Sequence, residues 1–162
     1  MSTYQYINTQ FGPEGVALCT FNRPEVRNAL SEAMIGEIRV FLAETAARKD
    51  IRVVVFTGAG DKAFLAGADV GELRDRTSAD ALRRINSGLF REVEQFPLPT
   101  IAAIRGYAVG GGLEFAISCD LRVCGTGSRF GQPETFENLL ARPSIECLIA
   151  AVNPGPIRCA AR

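Results

Sequence analysis

The segment Ile51-Arg-Val-Val-Val-Phe-Thr57 limits the fold of this chain more than any other. It is β-branched and apolar enough to be a strand buried on both faces, and such strands belong to sheets covered by helices. Val16-Ala-Leu-Cys-Thr-Phe21 reads as a second strand, after the turn Gly12-Pro13-Glu14-Gly15, and Thr100-Ile-Ala-Ala-Ile104 as another buried one. Between them, Ser31 is suited to cap a helix, and Leu30 with Ile35 has the spacing of a hydrophobic staple. Ile35, Ile38, Leu42 and Ala46 mark one face of that helix, which should end near Arg48-Lys49, where cations suit the dipole. Ser78 can cap a second helix with Leu82, Ile85, Leu89, Val93 and Phe96 on its inner face, stopped by Pro97-Leu-Pro99. Leu113 to Cys119 reads as a short buried helix, followed by short strands at Leu121–Cys124 and Arg129-Phe130. Strands alternating with helices predict an α/β fold with largely parallel pairing. Gly58 to Asp69 reads as a loop of small residues, and the tail from Thr135 to Arg162 has no clear periodicity.

With 162 residues and 47% hydrophobic content, one core and one domain are expected. Eighteen basic and eighteen acidic residues cancel, so no whole-domain field favours nucleic acid or an anionic membrane. No apolar run approaches the roughly 20 residues of a membrane span. The N-terminal Met-Ser-Thr-Tyr-Gln-Tyr lacks a secretory pattern, so a cytoplasmic protein is expected. The five cysteines are odd in number and contain no Cys-x-x-Cys pair, which argues against a disulfide framework or a zinc knuckle. Histidine is absent altogether. Ser-His-Asp and Cys-His catalysis and histidine-based zinc sites are thereby excluded, and no metal is expected. Acid–base work falls to Asp, Glu, Lys, Cys or Tyr.

Gly58-Ala-Gly60-Asp-Lys-Ala63 superficially satisfies a dinucleotide fingerprint, but no helix pattern opens on its glycines, which read as turn punctuation. Two other small-residue segments matter more as a pair. Ala66-Gly-Ala-Asp69 and Gly110-Gly-Gly112 can each let a ligand approach bare backbone, and N–H groups from two loops can converge on one oxygen. Glu114 follows the triple glycine, and Glu134 ends Phe-Gly-Gln-Pro-Glu. Read blandly, Glu114 is an exposed first-turn glutamate favoured by the helix dipole and Glu134 a solvated loop residue. Two carboxylates sharing one water, however, are the equipment for adding water to an activated double bond. In a shared dry pocket, repulsion and desolvation would divide the acid and base roles between them.

These residues together resemble the crotonase (enoyl-CoA hydratase/isomerase) superfamily. The matching segments are Asn22-Arg-Pro-Glu-Val-Arg-Asn-Ala-Leu30, Val54-Val-Phe-Thr-Gly58, Ala63-Phe-Leu-Ala-Gly-Ala-Asp69 and Pro99-Thr-Ile-Ala-Ala-Ile104. Gly106-Tyr-Ala-Val-Gly-Gly-Gly-Leu-Glu114, Cys119-Asp-Leu-Arg122 and Phe130-Gly-Gln-Pro-Glu134 continue the match in the family's order and spacing. The resemblance implies an α/β fold, a crotonase-like spiral of ββα units, over residues 1–134. It also implies an acyl-coenzyme A thioester as substrate, with no cofactor beyond the coenzyme A that the substrate carries. Ala68 and Gly111 would donate their N–H groups to the thioester oxygen. Ala66 and Ala68 would line the adenine pocket, Asp69 and Val70 would belong to the same substrate-binding set, and Val26, Arg27 and Ala29 would follow the coenzyme A chain.

Family hydratases use glutamates at the positions of Glu114 and Glu134, so the resemblance implies hydration of a trans-2-enoyl-CoA to the 3-hydroxyacyl-CoA. An enoyl-CoA isomerase, or a catalytically silent acyl-CoA-binding subunit, is the alternative. After Glu134 the family pattern is lost: residues 135–162 form a divergent tail in place of the usual C-terminal helical segment. That segment helps to close the acyl pocket and supplies most of the family's trimer interface. A truncated or frame-altered product is therefore expected, with the family's homotrimer or hexamer weakened.

Overall fold

A computed structural model describes residues 4–69 and 85–132 of the chain. Strands β1 (Ile7–Phe11) and β2 (Val16–Phe21) form an antiparallel hairpin in which Ile7 faces Phe21 and Phe11 faces Ala17. Its turn is the expected glycine-bounded one: the Gly12 N–H bonds to Val16 O at 2.8 Å, and Gly15 takes φ 81°, where a side chain would be strained. A single 3₁₀ turn, Pro24–Val26, leads into helix α1 (Glu32–Ala46). Ser31 caps α1 as its sequence requires, its hydroxyl accepting from Met34 N at 3.2 Å.

The remaining elements repeat one pattern. Strand β3 (Val53–Gly58) is followed by β4 (Ala63–Leu65), and α2 (Ile85–Glu94) comes later in the same stretch of chain. Strand β5 (Thr100–Ile104) passes to β6 (Tyr107–Val109) and then α3 (Gly111–Ser118). Strand β7 (Leu121–Cys124) passes to β8 (Arg129–Gly131). The first strand of each pair joins a five-stranded sheet in the order β1-β2-β3-β5-β7, and the second joins a three-stranded sheet, β4-β6-β8. Among the described residues every strand pairing except the β1–β2 hairpin is parallel. The chain thus winds as a spiral of ββα units, in agreement with the expected fold class.

Aromatic rings join the two sheets to the helices. Phe115 of α3 packs edge-on against Phe56 of β3 at 5.0 Å and Phe21 of β2 at 5.2 Å, and Phe64 of β4 meets Phe21 at 5.4 Å. Such edge-to-face pairs contribute roughly 0.5–1.5 kcal/mol each beyond burial. They also fix the start of α3, and with it the glycine run, against the end of β4.

Four expectations need correction. Strand β3 is fully enclosed on one face only: Val54 and Phe56 are buried, whereas Val53 and Val55 are half-buried. Phe41 of α1 and Phe115 of α3 both meet Phe56 edge-on, so the helices cover that face of the sheet. On the other face Leu121 and Val123 of β7 are each 57% exposed. Ala46 of α1 is exposed and Thr45 takes the inward position, its hydroxyl donating to Phe41 O at 2.7 Å. The inner face of α1 runs through Met34, Ile38, Phe41 and Thr45, and Ala46 lies past its edge. Helix α1 also stops two residues before Arg48 and has no cation in its last turn; the Arg48 guanidinium instead binds Asp50 at 2.7 Å and lies 4.3 Å from the centre of the Phe11 ring. The segment read as a loop from Gly58 to Asp69 contains β4. Ser78 and Leu82 lie outside the described residues.

Candidate active site

The glycine run after β6 makes a turn that only glycine adopts readily: Gly110 has φ 54° and ψ −129°. Its N–H bonds to Gly131 O at 2.9 Å, and its carbonyl accepts from Leu113 N and Glu114 N, at 2.9 and 3.1 Å. Helix α3 therefore begins abruptly at the end of the small sheet. Gly112 is seated so closely that a β-carbon there would collide with the carbonyl of Leu65. Gly111 is different. A β-carbon on it would stand 3.7 Å from Cα of Gly67, 3.8 Å from N of Ala68 and 3.6 Å from Cζ of Phe90. The two loops named from sequence thus meet, with a space about one methyl group deep between them.

The opposite wall of this space is held by Leu30. Its N–H bonds to Gly67 O at 2.7 Å, and its carbonyl accepts from Asp69 N at 3.0 Å, so Leu30 and Ala68 form an isolated parallel bridge. In that pattern Ala68's neighbours make both bonds and its own N–H is directed away from Leu30. Among the described residues neither the N–H of Ala68 nor that of Gly111 donates to a backbone carbonyl. Two N–H groups brought to one small space are suited to a developing oxyanion.

Glu114 lies in the first turn of α3, exposed, and its Oε1 accepts from Gln132 Nε2 at 3.3 Å. With Gln132 it borders a cleft of about 800 Å³ between α2 and α3, whose apolar wall is Phe90, Leu113 and Ile117. A volume of this order suits a small-molecule ligand. The bland reading of Glu114 as an exposed first-turn carboxylate and the reading of it as a cleft residue are therefore both met by one position. Glu134, the second expected carboxylate, and Val70 lie outside the described residues.

The expected coenzyme A positions fall on the other loop. Val26 and Arg27 are exposed, and Ala29 is half-buried. Arg27 takes the left-handed φ 56° at the end of the 3₁₀ turn. It borders a smaller cleft, about 140 Å³, together with Gly60, Asp61 and Lys62. Ala66 and Ala68 are half-buried beside Gly67. Asp69 directs a carboxylate oxygen to Arg23 Nη2 at 3.0 Å. The glycines at 58 and 60 lead into strand β4 and start no helix, as their reading as turn punctuation requires.

Sequence reading missed three contributors. Asn28 is wholly buried: its Oδ1 accepts from Arg23 N at 3.0 Å, and its Nδ2 donates to Ala59 O and Ala63 O at 3.0 and 2.8 Å. Arg23 bonds inward to Ala29 O, and Phe90 reaches Gly111 from α2. Asn28 and Arg23 stand inside a quoted motif, but nothing in their spacing gives their partners. Phe90 sits beside the expected inner stripe of its helix and carries no local signal.

The sequence matches the enoyl-CoA hydratase/isomerase family over residues 12–139. The chain belongs to that family. It is 39% identical over 121 residues to a short-chain-enoyl-CoA hydratase of Clostridium acetobutylicum, covering 74% of this chain and 46% of the relative. A crotonyl-CoA hydratase of Syntrophomonas wolfei is 38% identical over 125 residues, covering 75% and 47%. Among solved structures, an enoyl-CoA hydratase from Bacillus anthracis superposes with a TM-score of 0.80 at 32% identity, covering 91% of this chain and 58% of that one. Pseudomonas aeruginosa DspI gives a TM-score of 0.81 at 29% identity, covering 94% and 58%. The chain spans about half the length of these enoyl-CoA hydratase relatives.

Proposed function

We propose that this site hydrates a trans-2-enoyl-CoA thioester to the 3-hydroxyacyl-CoA. The observation that carries the reading is the approach of Ala68 N to Gly111, 3.8 Å from a β-carbon position that glycine leaves empty. With the thioester oxygen in that space, attack of water at C3 forms the C3–O bond and drives the C2=C3 π electrons onto the oxygen. The N–H groups of Ala68 and Gly111 stabilise the resulting enolate, an effect worth about 3–4 kcal/mol per donor in comparable sites. The enolate then collapses as C2 takes a proton. Glu114 and Glu134 are the acid–base pair: one carboxylate accepts the proton of the attacking water, and the other completes delivery to C2. Arg27 follows the coenzyme A phosphates, and Ala66 and Ala68 flank the adenine. No cofactor beyond the coenzyme A of the substrate is required.

The test is steady-state hydration of crotonyl-CoA by the purified 162-residue chain. Glu114→Gln is expected to lower kcat about 10²–10⁴-fold, the usual range for a removed acid–base group. Turnover indifferent to Glu114→Gln and Glu134→Gln would rule out this site. Conversion of a 3-enoyl-CoA without hydration would assign the chain to the isomerases, and coenzyme A binding without turnover would assign it a silent binding role.

A further inference from the structure

Ala68 is held by its neighbours. Leu30 bonds to Gly67 on one side of it and to Asp69 on the other, at 2.7 and 3.0 Å. One guanidinium spans this clamp. Arg23 Nη1 donates to Ala29 O at 2.8 Å, next to Leu30, and Nη2 donates to Asp69 Oδ2 at 3.0 Å, next to Ala68. The two side chains are only 16% and 22% exposed, so the pair is poorly screened by water. Arg23 is itself anchored: Asn28 accepts from its backbone N–H at 3.0 Å, and its guanidinium carbon lies 5.6 Å from the centre of the Tyr6 ring. These contacts have two consequences. Loss of the guanidinium would let the 66–69 loop move away from Gly111. It would also leave the Asp69 carboxylate, one residue from the Ala68 donor, with less positive charge against it, where it opposes the negative charge of an enolate.

We propose that Arg23 is a positioning residue, which holds the Ala68 N–H toward Gly111 through Ala29 and Asp69 and offsets the Asp69 charge beside the oxyanion space. Its catalytic part rests on the hydratase reading; the clamp does not. The test uses the whole chain with Arg23→Ala, Arg23→Lys, Asp69→Asn and the double variant Arg23→Ala/Asp69→Asn. Arg48→Ala, which removes an exposed ion pair away from the clamp, is the control. Amide NMR of the ligand-free protein should show the Ala68 and Gly67 resonances moved by Arg23→Ala. Exchange at the Asp69 amide, which donates to Leu30, should quicken about tenfold or more as the local opening becomes easier. Arg48→Ala should change neither.

With crotonyl-CoA, Arg23→Ala should lower kcat about tenfold or more and leave KM within about twofold, because the donor acts chiefly on the transition state. Arg23→Lys should recover part of this loss, and the double variant should exceed Arg23→Ala, since neutralising Asp69 lowers the negative charge beside the oxyanion space. An Ala68 amide unmoved in folded Arg23→Ala would overturn the proposal, as would a double variant no better than the single. If Arg23→Ala does not fold, the same amide readout on Arg23→Lys and Asp69→Asn decides. If the amides respond as expected and wild type does not hydrate crotonyl-CoA, the clamp stands and the hydratase reading fails.

Discussion

Gly111 faces Ala68 across a gap that one methyl group would fill, whereas its neighbour Gly112 has no such room against Leu65. Adjacent glycines in one run therefore do different work. Gly112 allows α3 to pack on β4, and Gly111 keeps the space over the Ala68 nitrogen open.

Gly111→Ala should leave the fold intact, with stability within about 1 kcal/mol of wild type, since alanine suits a helix better than glycine. Its methyl would occupy the proposed oxyanion space and lower kcat for crotonyl-CoA about 10²-fold or more. Gly112→Ala should instead cost at least about 2 kcal/mol, because backbone rather than a flexible side chain must yield. Thermal melts beside steady-state kinetics separate the two. Full activity in Gly111→Ala would sink the oxyanion assignment.

Glu37 of α1 ties down the start of the sheet. Its carboxylate accepts from the backbone N–H groups of Gln5, Tyr6 and Ile7 at 2.8, 2.8 and 3.1 Å. Glu37→Ala should lower stability by about 1–3 kcal/mol, as charge-assisted bonds to backbone are lost together. Urea denaturation checks this, and an unchanged midpoint would mean that the strand needs no such anchor.

Acid should loosen the junction of β5 and β7. The backbone N–H of Thr100, and then its hydroxyl, hold the Asp120 carboxyl below its usual range. A depressed folded pKa gives stability that is complete above the unfolded value, about 3.9, and is lost as pH falls through the lower folded one. Wild type should therefore lose more Tm than Asp120→Asn does as pH falls below about 3.9. Parallel Tm profiles for the two proteins would refute the assignment.

Two cysteines should resist thiol reagents in the native state. Burial pushes the Cys119 thiol up to about 12, and it raises that of Cys19 further. At pH 8 the Cys119 thiol is then almost wholly protonated. Peptide mapping after labelling at pH 8 should find both sites modified only as the chain unfolds in denaturant. Modification of either at the rate of unfolded protein would contradict the enclosed core.

The large elements could be read from local pattern. Val16–Phe21, Thr100–Ile104 and Leu121–Cys124 coincide with the strands that their β-branched and apolar runs predict, and Ser31 caps the helix that its position announces. Strands β4 and β6, three residues each, were not read from local pattern. They exist through their pairing with each other, Ala63 beside Tyr107. The same holds for Asn28, whose burial depends on carbonyls at residues 59 and 63.

The sequence by itself determined the menu of chemistry: no histidine, a carboxylate after three glycines, and two small-residue loops. Residue types and short-range spacing are enough for that, because side-chain chemistry and turn preference are local properties. Which glycine faces which alanine was decided only by the tertiary structure. So was the bridging of Ala29 and Asp69 by the guanidinium of Arg23. Those relations join residues some forty positions apart. They arise only once the parallel strands have stacked, the phenylalanine cluster has fixed α3 against β4, and Leu30 has closed on Ala68.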